Sequence, residues 1–423
     1  MLKMKVLWFE VSVPGRYLGD GAIVGGWQDS LEDIVRDLPE IELYIAFEGK
    51  KGDRYRKVDN VTYIPIVPIY SKFKDKILER LDYWSLNRDK IIPLAISVIN
   101  DVNPDIIHVF GSEWCWGQVA QYVSQPVVIH MQGSIPPYQN AFYPPGYNLK
   151  DYFCFNGIHL NRSWNQYWLS INNAHRAEIE EETLKIVSNY MGRTMWDKNI
   201  VKLYNPNAAY YYCSEALRPA VMKSQKKWSL KKNCKLRLVT VGCTSLLKGI
   251  DTIMRTAKIL KKHNVDFEWF LVGKLWIKDF VQYKEKIRFE DVNVKLTGFL
   301  DAEALVELLL TSTIYVHTAY IDNSPNSICE AQYLGVPVIS TFVGGIPSLV
   351  KNGEDGILVP ANDPYTLSSM IMNLSGDIEK MQELSISAME KAQKRHSISQ
   401  ITQDLLTCYK SIISKTKNAG KNI

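Results

Sequence analysis

Leu236-Arg-Leu-Val-Thr-Val241-Gly-Cys-Thr-Ser-Leu-Leu-Lys248-Gly249-Ile-Asp-Thr-Ile-Met-Arg-Thr-Ala-Lys-Ile-Leu260 decides the fold. Its first six residues are a short apolar run of the kind that fills a buried parallel strand. Gly242 to Gly249 reads as a loop, after which Ile250, Ile253, Met254, Ala257 and Leu260 recur on one helical face. The chain opens on the same plan. Lys5-Val-Leu-Trp-Phe9 predicts a strand, Gly15, Gly19, Gly21, Gly25 and Gly26 fall in a loop, and Trp27, Leu31, Ile34, Val35 and Leu38 line a helix. Strand, glycine loop and amphipathic helix, placed twice, predict an α/β protein of two doubly wound, Rossmann-like domains facing a cleft. A length of 423 residues suits two or three domains.

Further strands are predicted over 42–47, 61–66, 106–110 and 127–130 in the first half, and over 267–272, 292–296, 314–317, 336–340 and 357–359 in the second. Helices between them, for instance over 302–310, 328–334 and 364–374, give the alternation of βαβ units. The expected domains are residues 1–220 and 235–395, followed by a C-terminal helix and frayed tail over 396–423 that can cross back to the first domain. Residues 222–233 carry five lysines and read as a solvated linker or the end of a linking helix. Residues 138–155, rich in Pro, Tyr and Phe, lack periodicity and read as a long loop on the first domain.

Composition narrows the function. With 46% hydrophobic and 22% charged residues, disorder, collagen and coiled coil are excluded. No stretch reaches about 18 uncharged apolar residues, so no membrane-spanning helix is expected. The first apolar run is short and ends at Glu10, unlike a secretion signal. Seven cysteines from Cys115 to Cys408 show no paired spacing, which suggests reduced thiols and a cytoplasmic protein. A net charge of +5 suits a phosphate-bearing substrate or an anionic membrane surface and does not demand nucleic acid.

The chemistry concentrates in His317-Thr-Ala-Tyr-Ile-Asp322-Asn-Ser-Pro-Asn-Ser-Ile-Cys-Glu330-Ala-Gln-Tyr-Leu-Gly-Val-Pro-Val-Ile-Ser340. A strand leads through a polar turn into a helix. The main-chain N–H groups of Asn326, Ser327 and Ile328 would be unpaired helix-terminus donors, suited to a phosphate or sugar oxygen. Glu330, about one turn in, can accept from two neighbouring hydroxyls such as a ribose offers. The plainer alternative is that Ser324 or Ser327 caps the helix and Glu330 faces solvent.

This stretch resembles the Glu-x7-Glu region of the family 4 (group 1) glycosyltransferases, which have the GT-B fold; Asp322 stands at the first acidic position and Glu330 at the second. The resemblance covers most of the chain. Gly25-Gly26-Trp27 resembles the glycine pair of the first loop, Gly192-Arg-Thr-Met-Trp-Asp197 a motif closing the acceptor-side domain, Lys248-Gly249 the donor-phosphate lysine, and Gly344-Gly345 and Asp355-Gly-Ile-Leu-Val359 the C-terminal landmarks. It implies transfer of a hexosyl-type sugar from a nucleotide-sugar (UDP-, GDP- or ADP-linked) to an acceptor hydroxyl with retention, in bacterial polysaccharide assembly. By the same resemblance Glu330 holds the ribose, Asp322 holds donor-sugar hydroxyls, and Lys248 neutralises the departing diphosphate. A fixed ammonium aimed at charge that develops in the transition state lowers the barrier. Main-chain atoms around Gly298 and Phe299 are expected to read the base.

The sequence departs from the family in three places. Cys243 stands where an Arg often shares the diphosphate charge, leaving Thr244 and Ser245 as neutral donors. Pro325 removes one main-chain N–H, so Asn326 and Ser327 are expected to hold the sugar. The family histidine of the first domain falls on Gln132 in strict register, with His130 two residues away; either could contact the donor sugar, and His130 could equally be a core histidine. Arg193 could meet an acceptor anion or pair with Asp197.

No Asp-x-Asp is present and the histidines are scattered, so neither a divalent ion on the diphosphate, nor a zinc site, nor another cofactor is expected. Tyr70, Phe73, Ile77, Leu81 and Trp84 share a helical face interleaved with Lys72, Lys74, Lys76 and Arg80. Such a helix can lie peripherally on an anionic membrane, where lipid-linked acceptors are found, or it can simply cover the first sheet. Competing functions are a nucleotide-sugar epimerase of the same fold and a catalytically silent nucleotide-sugar binding protein. A dinucleotide oxidoreductase lacks its Gly-x-Gly-x-x-Gly here.

Overall fold

The structure, a computed structural model, describes residues 3–19, 26–71, 74–229, 235–242 and 244–419. Two compact units emerge. One comprises Met1–Gln139, Trp168–Ala216 and His396–Ile423; the other comprises Asn140–Tyr167 and Leu217–Arg395. They are not the contiguous blocks 1–220 and 235–395 expected from the sequence.

The first unit holds β1 (Met4–Glu10), β2 (Ile41–Glu48), β3 (Arg56–Val58), β4 (Val61–Ile66), β5 (Ile106–Phe110), β6 (Val127–His130), β7 (Asn189–Gly192) and β8 (Ala209–Tyr212). They form one sheet in the order β3-β4-β2-β1-β5-β6-β7-β8. Every neighbouring pair is parallel except the β3–β4 hairpin. The second unit holds β9 (Leu236–Val241), β10 (Phe267–Val272), β11 (Val294–Gly298), β12 (Ile314–His317), β13 (Val338–Thr341) and β14 (Ile357–Val359). They are wholly parallel, in the order β11-β10-β9-β12-β13-β14. Central strands β5, β12 and β13 are buried at every residue. Helices cover both faces of such sheets, which is why these strands read as unbroken apolar runs rather than as alternation.

Each sheet reverses its winding direction once, between β1 and β5 in the first and between β9 and β12 in the second. Loops leaving the carboxyl ends of the two strands at such a reversal diverge and open a crevice where ligands of open α/β sheets bind.

Several expectations are corrected. The stretch read as a loop over 138–155 contains helix Leu149–Asn156, started by a reciprocal cap between Asn148 and Asp151. It belongs to the second unit, where Tyr152 stacks on Phe280 at 4.0 Å and Lys284 pairs with Asp151 at 2.7 Å. Its irregular aromatic spacing serves packing on that unit rather than a periodic face of its own. The basic amphipathic helix spans Lys74–Val102 and is interrupted at Asp82 (φ −152°), whose carboxylate caps the restarted helix through the Ser85 N–H. Phe73 and Lys72 of its stripe lie outside the described residues, as do the side chains of Lys76 and Arg80. Ile77 and Leu81 are exposed, whereas Trp84 packs edge-on against Trp114. Within the lysine-rich linker, Trp228 is buried and donates its indole N–H to the Ser312 carbonyl, so this part is anchored to the second unit. The strand expected from 292 starts at Val294, because Glu290–Val292 forms a short turn and Asn293 takes a positive φ. The strand expected from 336 starts at Val338.

The C-terminal helix Ile398–Ala419 packs in the first unit, where Ile401, Leu405, Cys408, Tyr409 and Ile412 join the core. The Tyr409 hydroxyl is fully buried, accepts the Trp8 indole N–H at 3.1 Å and bonds to Nδ1 of His108.

Candidate active site

In the second unit the reversal point brings together the loops that follow β9 and β12. The first contains the short turn Leu246–Lys248 and ends at Gly249. Gly249 has φ +70°, and a Cβ there would lie 1.9 Å from the Thr318 carbonyl oxygen. Only glycine permits that approach and that backbone angle. The loops are then joined: the Thr318 hydroxyl donates to the carbonyls of Lys248 and Gly249, and the Tyr320 N–H to that of Leu247. The loop after β13 closes on the same point. Gly344 packs against the Asp322 main chain, and the Gly345 N–H donates to the Asp322 carbonyl.

This scaffold sets Lys248 against Asp322, Nζ to Oδ2, at 2.6 Å. His317, the last residue of β12, places Nε2 3.1 Å from the same oxygen. Tyr315 lies next to His317 Nδ1 and donates its hydroxyl proton to Ser327 Oγ at 2.7 Å. Burial alone would raise the Asp322 carboxyl, but the Lys248 charge and then the His317 contact outweigh it and hold it well below the usual carboxylate range. Asp322 is therefore ionised at any working pH. The Lys248 side chain is 32% exposed and that of Asp322 10%, so the pair joins a partly exposed cation to a largely buried carboxylate.

Helix Asn326–Leu334 begins after Pro325 with no side-chain cap. Neither Ser324 nor Ser327 closes it, contrary to the plainer alternative. Of the three donors expected there, the Ile328 N–H is already taken by the Pro325 carbonyl at 3.0 Å, and the Ile328 side chain is core. Asn326 Oδ1 is buried without a hydrogen-bond partner among the described residues. Glu330 does not face solvent: its side chain is 1% exposed, and Oε1 lies 3.0 Å from Nε of Arg218. Thr244 is exposed and its N–H bonds back to the Gly242 carbonyl, while the Ser245 carbonyl accepts the Lys248 N–H. Gly298 ends β11 with φ +72°, its carbonyl accepting the Gly273 N–H, and Phe299 beyond it is exposed. Cys243 lies outside the described residues.

The remaining candidates belong to the first unit. Gly26 precedes helix Trp27–Val35, and Gly25 lies outside the described residues. His130 ends β6 fully buried, edge-on to Trp27 and stacked with His108; burial lowers its pKa well below the ordinary value. Gln132 is half-buried. Arg193 is buried over the Trp27 ring and pairs with Glu215 at 2.9 Å. Asp197 caps its own helix through the Arg193 and Thr194 N–H groups.

Sequence reasoning missed His317 and Arg218 as site groups. His317 opens the quoted stretch at the carboxyl end of a central strand, a position that itself signals a ligand crevice. Arg218 carries no motif signal, since its link to Glu330 exists only in the folded unit.

Comparisons with known proteins accord with this geometry. Residues 222–394 match the family described as glycosyl transferases group 1. Over 185 residues the chain is 25% identical to WcaL of Salmonella typhimurium, a glycosyltransferase named for colanic acid biosynthesis, covering 42% of this chain and 45% of that protein. Over 148 residues it is 27% identical to the amylovoran biosynthesis glycosyltransferase AmsK of Erwinia amylovora, covering 33% and 36%. The matches thus span less than half the length of either relative. The fold extends further. A sucrose-phosphate synthase from Thermosynechococcus elongatus superposes with TM-score 0.71 at 15% identity, covering 98% of this chain and 100% of that one. HepE of Anabaena, solved with UDP and glucose, superposes with TM-score 0.64 at 16% identity, covering 96% and 100%.

Proposed function

We propose, from the match of residues 222–394 to the group 1 glycosyl transferases, that the chain moves a hexosyl-type sugar from a nucleoside-diphosphate sugar to an acceptor hydroxyl with retention. The observation that carries the proposal is the partly exposed Lys248 paired with ionised Asp322, at the reversal point between β9 and β12. The diphosphate lies against Lys248, and the ammonium stabilises the charge that collects there as the sugar departs. The acceptor oxygen attacks from the face the leaving group vacates, and a diphosphate oxygen takes its proton. No protein carboxylate forms a bond to the sugar, and Lys248 takes the role that a divalent ion fills in enzymes with Asp-x-Asp.

The names of the relatives, drawn from colanic acid and amylovoran biosynthesis, support a setting in bacterial surface-polysaccharide assembly. No helix among the described residues is long and apolar enough to cross a membrane. The exposed Ile69, Tyr70, Ile77 and Leu81 support peripheral contact with an anionic inner-membrane face bearing a lipid-linked acceptor. Flotation with anionic vesicles tests that contact, and failure to co-float removes it.

The test of the reaction is transfer from UDP-, GDP- and ADP-sugars with EDTA present, the product's anomeric configuration being read by NMR. Lys248→Ala is expected to lower turnover by about 10²–10³-fold, the usual cost of one transition-state donor. An inverted product, a turnover indifferent to Lys248→Ala, or loss of turnover in EDTA each overturns a part of this reading. Turnover without an acceptor marks an epimerase instead.

A further inference from the structure

We propose that Tyr320 is a positioning residue for the Lys248–Asp322 pair, held in place by a polar network that ends on Tyr147. The proposal rests on the reading of that pair as the diphosphate site. Tyr320 stands two residues before Asp322, and its main-chain N–H donates at 2.8 Å to the carbonyl of Leu247, the residue before Lys248. One residue thus links the two loops that carry the pair. Its side chain is anchored in turn. The Tyr320 hydroxyl donates to Oδ2 of Asp251 at 2.6 Å, in the first turn of helix Ile250–Lys262. The Asp251 side chain is 0% exposed, and Nη2 of Arg255, one turn further on, lies 3.6 Å from the same oxygen. Glu285 holds that guanidinium at two points, accepting from Nε at 2.7 Å and from Nη2 at 2.8 Å. A planar fork bound at two points is fixed in direction as well as in place. The Tyr147 hydroxyl closes the series by donating to Oε1 of Glu285 at 2.7 Å. Asn362 Oδ1 bridges the middle, 3.4 Å from Arg255 Nη1 and 3.2 Å from the Tyr320 hydroxyl. Burial, and then the facing carboxylates, raise both tyrosine hydroxyls far above their ordinary value, so both remain donors at any working pH. Tyr147 belongs to the segment Asn140–Tyr167, which the second unit takes from the middle of the first unit's sequence. That segment therefore braces the loops of the pair, which are ordered before any nucleotide arrives and need no ordering on binding.

A merely structural hydroxyl would matter equally with or without Lys248, whereas a positioning hydroxyl acts through it. The full chain is titrated with UDP, GDP and ADP by ligand-observed NMR, up to millimolar nucleotide, in the wild type, Tyr320→Phe, Lys248→Ala and the double variant. Phe keeps the ring and loses only the hydroxyl. Tyr320→Phe is expected to weaken the nucleotide that binds by at least about 5-fold, part of the worth of one charge-assisted hydrogen bond. In the Lys248→Ala background the same change is expected to cost less than about 2-fold. Tyr147→Phe is expected to weaken binding about 3-fold and to add nothing to Tyr320→Phe, since both act along one series. If Tyr320→Phe does not fold, Tyr147→Phe carries the comparison with and without Lys248. No loss in these variants, or an equal loss with and without Lys248, overturns the role of Tyr320 and leaves the diphosphate reading standing. A wild type that binds none of the three nucleotides, or binds one as well after Lys248→Ala, overturns that reading itself.

Discussion

Replacing Asp322 by Asn separates two effects that the Lys248–Asp322 pair combines. The carboxylate lies 2.6 Å from the ammonium, on its buried side. A diphosphate approaching from solvent would meet Lys248 at contact and Asp322 at about 6 Å, where two unit charges repel by roughly 1.4 kcal/mol at an effective dielectric of about 40. Partial exposure and salt reduce that figure, so removing the carboxylate should tighten UDP or GDP binding by about 0.5–1.4 kcal/mol, roughly 2–10-fold. Transfer should move the other way. Without the charged acceptor, Lys248 is free to follow the nucleotide rather than the reacting bond, and kcat should fall by at least about 10-fold. Asn keeps the shape of the carboxylate and its acceptor oxygen for the Asn323 N–H, so the fold should survive, which an unfolding curve checks. Calorimetry at low and high salt, beside single-turnover transfer, measures both arms. Binding that is weaker or unchanged in Asp322→Asn would show that the phosphates do not sit on this pair, and the proposed reaction would lose its electrostatic basis.

Tyr409→Phe should strand the Trp8 N–H and His108 Nδ1 in the first-unit core. At about 1–3 kcal/mol per stranded group the loss should be roughly 2–6 kcal/mol in urea unfolding, and a loss under about 0.5 kcal/mol would refute the bonding shown. The stability of the first unit should fall on both sides of a mid-range pH. Burial lowers His108 from 6.5 to about 3, so the folded state resists a proton that the unfolded chain accepts, and stability is lost as pH drops below about 6.5. Burial, reinforced by Asp29 and Asp33 against the pull of Tyr63 and Arg16, raises Glu32 from 4.5 to about 7, so its contribution is complete below 4.5 and lost as pH rises through 7. Melting curves should show His108→Gln flattening the acid limb and Glu32→Gln the other; unchanged limbs would refute the assignment.

The sequence revealed what depends on local periodicity. β9, the Gly242–Gly249 loop and the helix after it were legible because strand, turn and helix each impose a spacing. β7 and β8 were not, since each is only four residues long and flanks a motif read for its chemistry. The helix break at Asp82 was hidden because its cause is a single side chain bonding three residues ahead. At the site, the acidic positions and Lys248 stood out as residue types, but their partners did not. That Asp322 holds Lys248, and Glu330 holds Arg218, depends on loops joined by the carbonyl contact of Thr318 with Gly249 and by Arg218 at the unit boundary. Spacing along the chain carries no trace of either.

The polypeptide passes from one unit to the other at 139/140, 167/168, 216/217 and 395/396. Neither lobe is therefore a transplantable cassette. A chimera spliced once near residue 220 would strip Tyr152 from its seat on Phe280 and deprive Trp8 of Tyr409, damaging both halves at positions far from the seam. Exchange of donor and acceptor specificities between relatives of this architecture would need several coordinated junctions, so point changes within the loops offer the shorter evolutionary route.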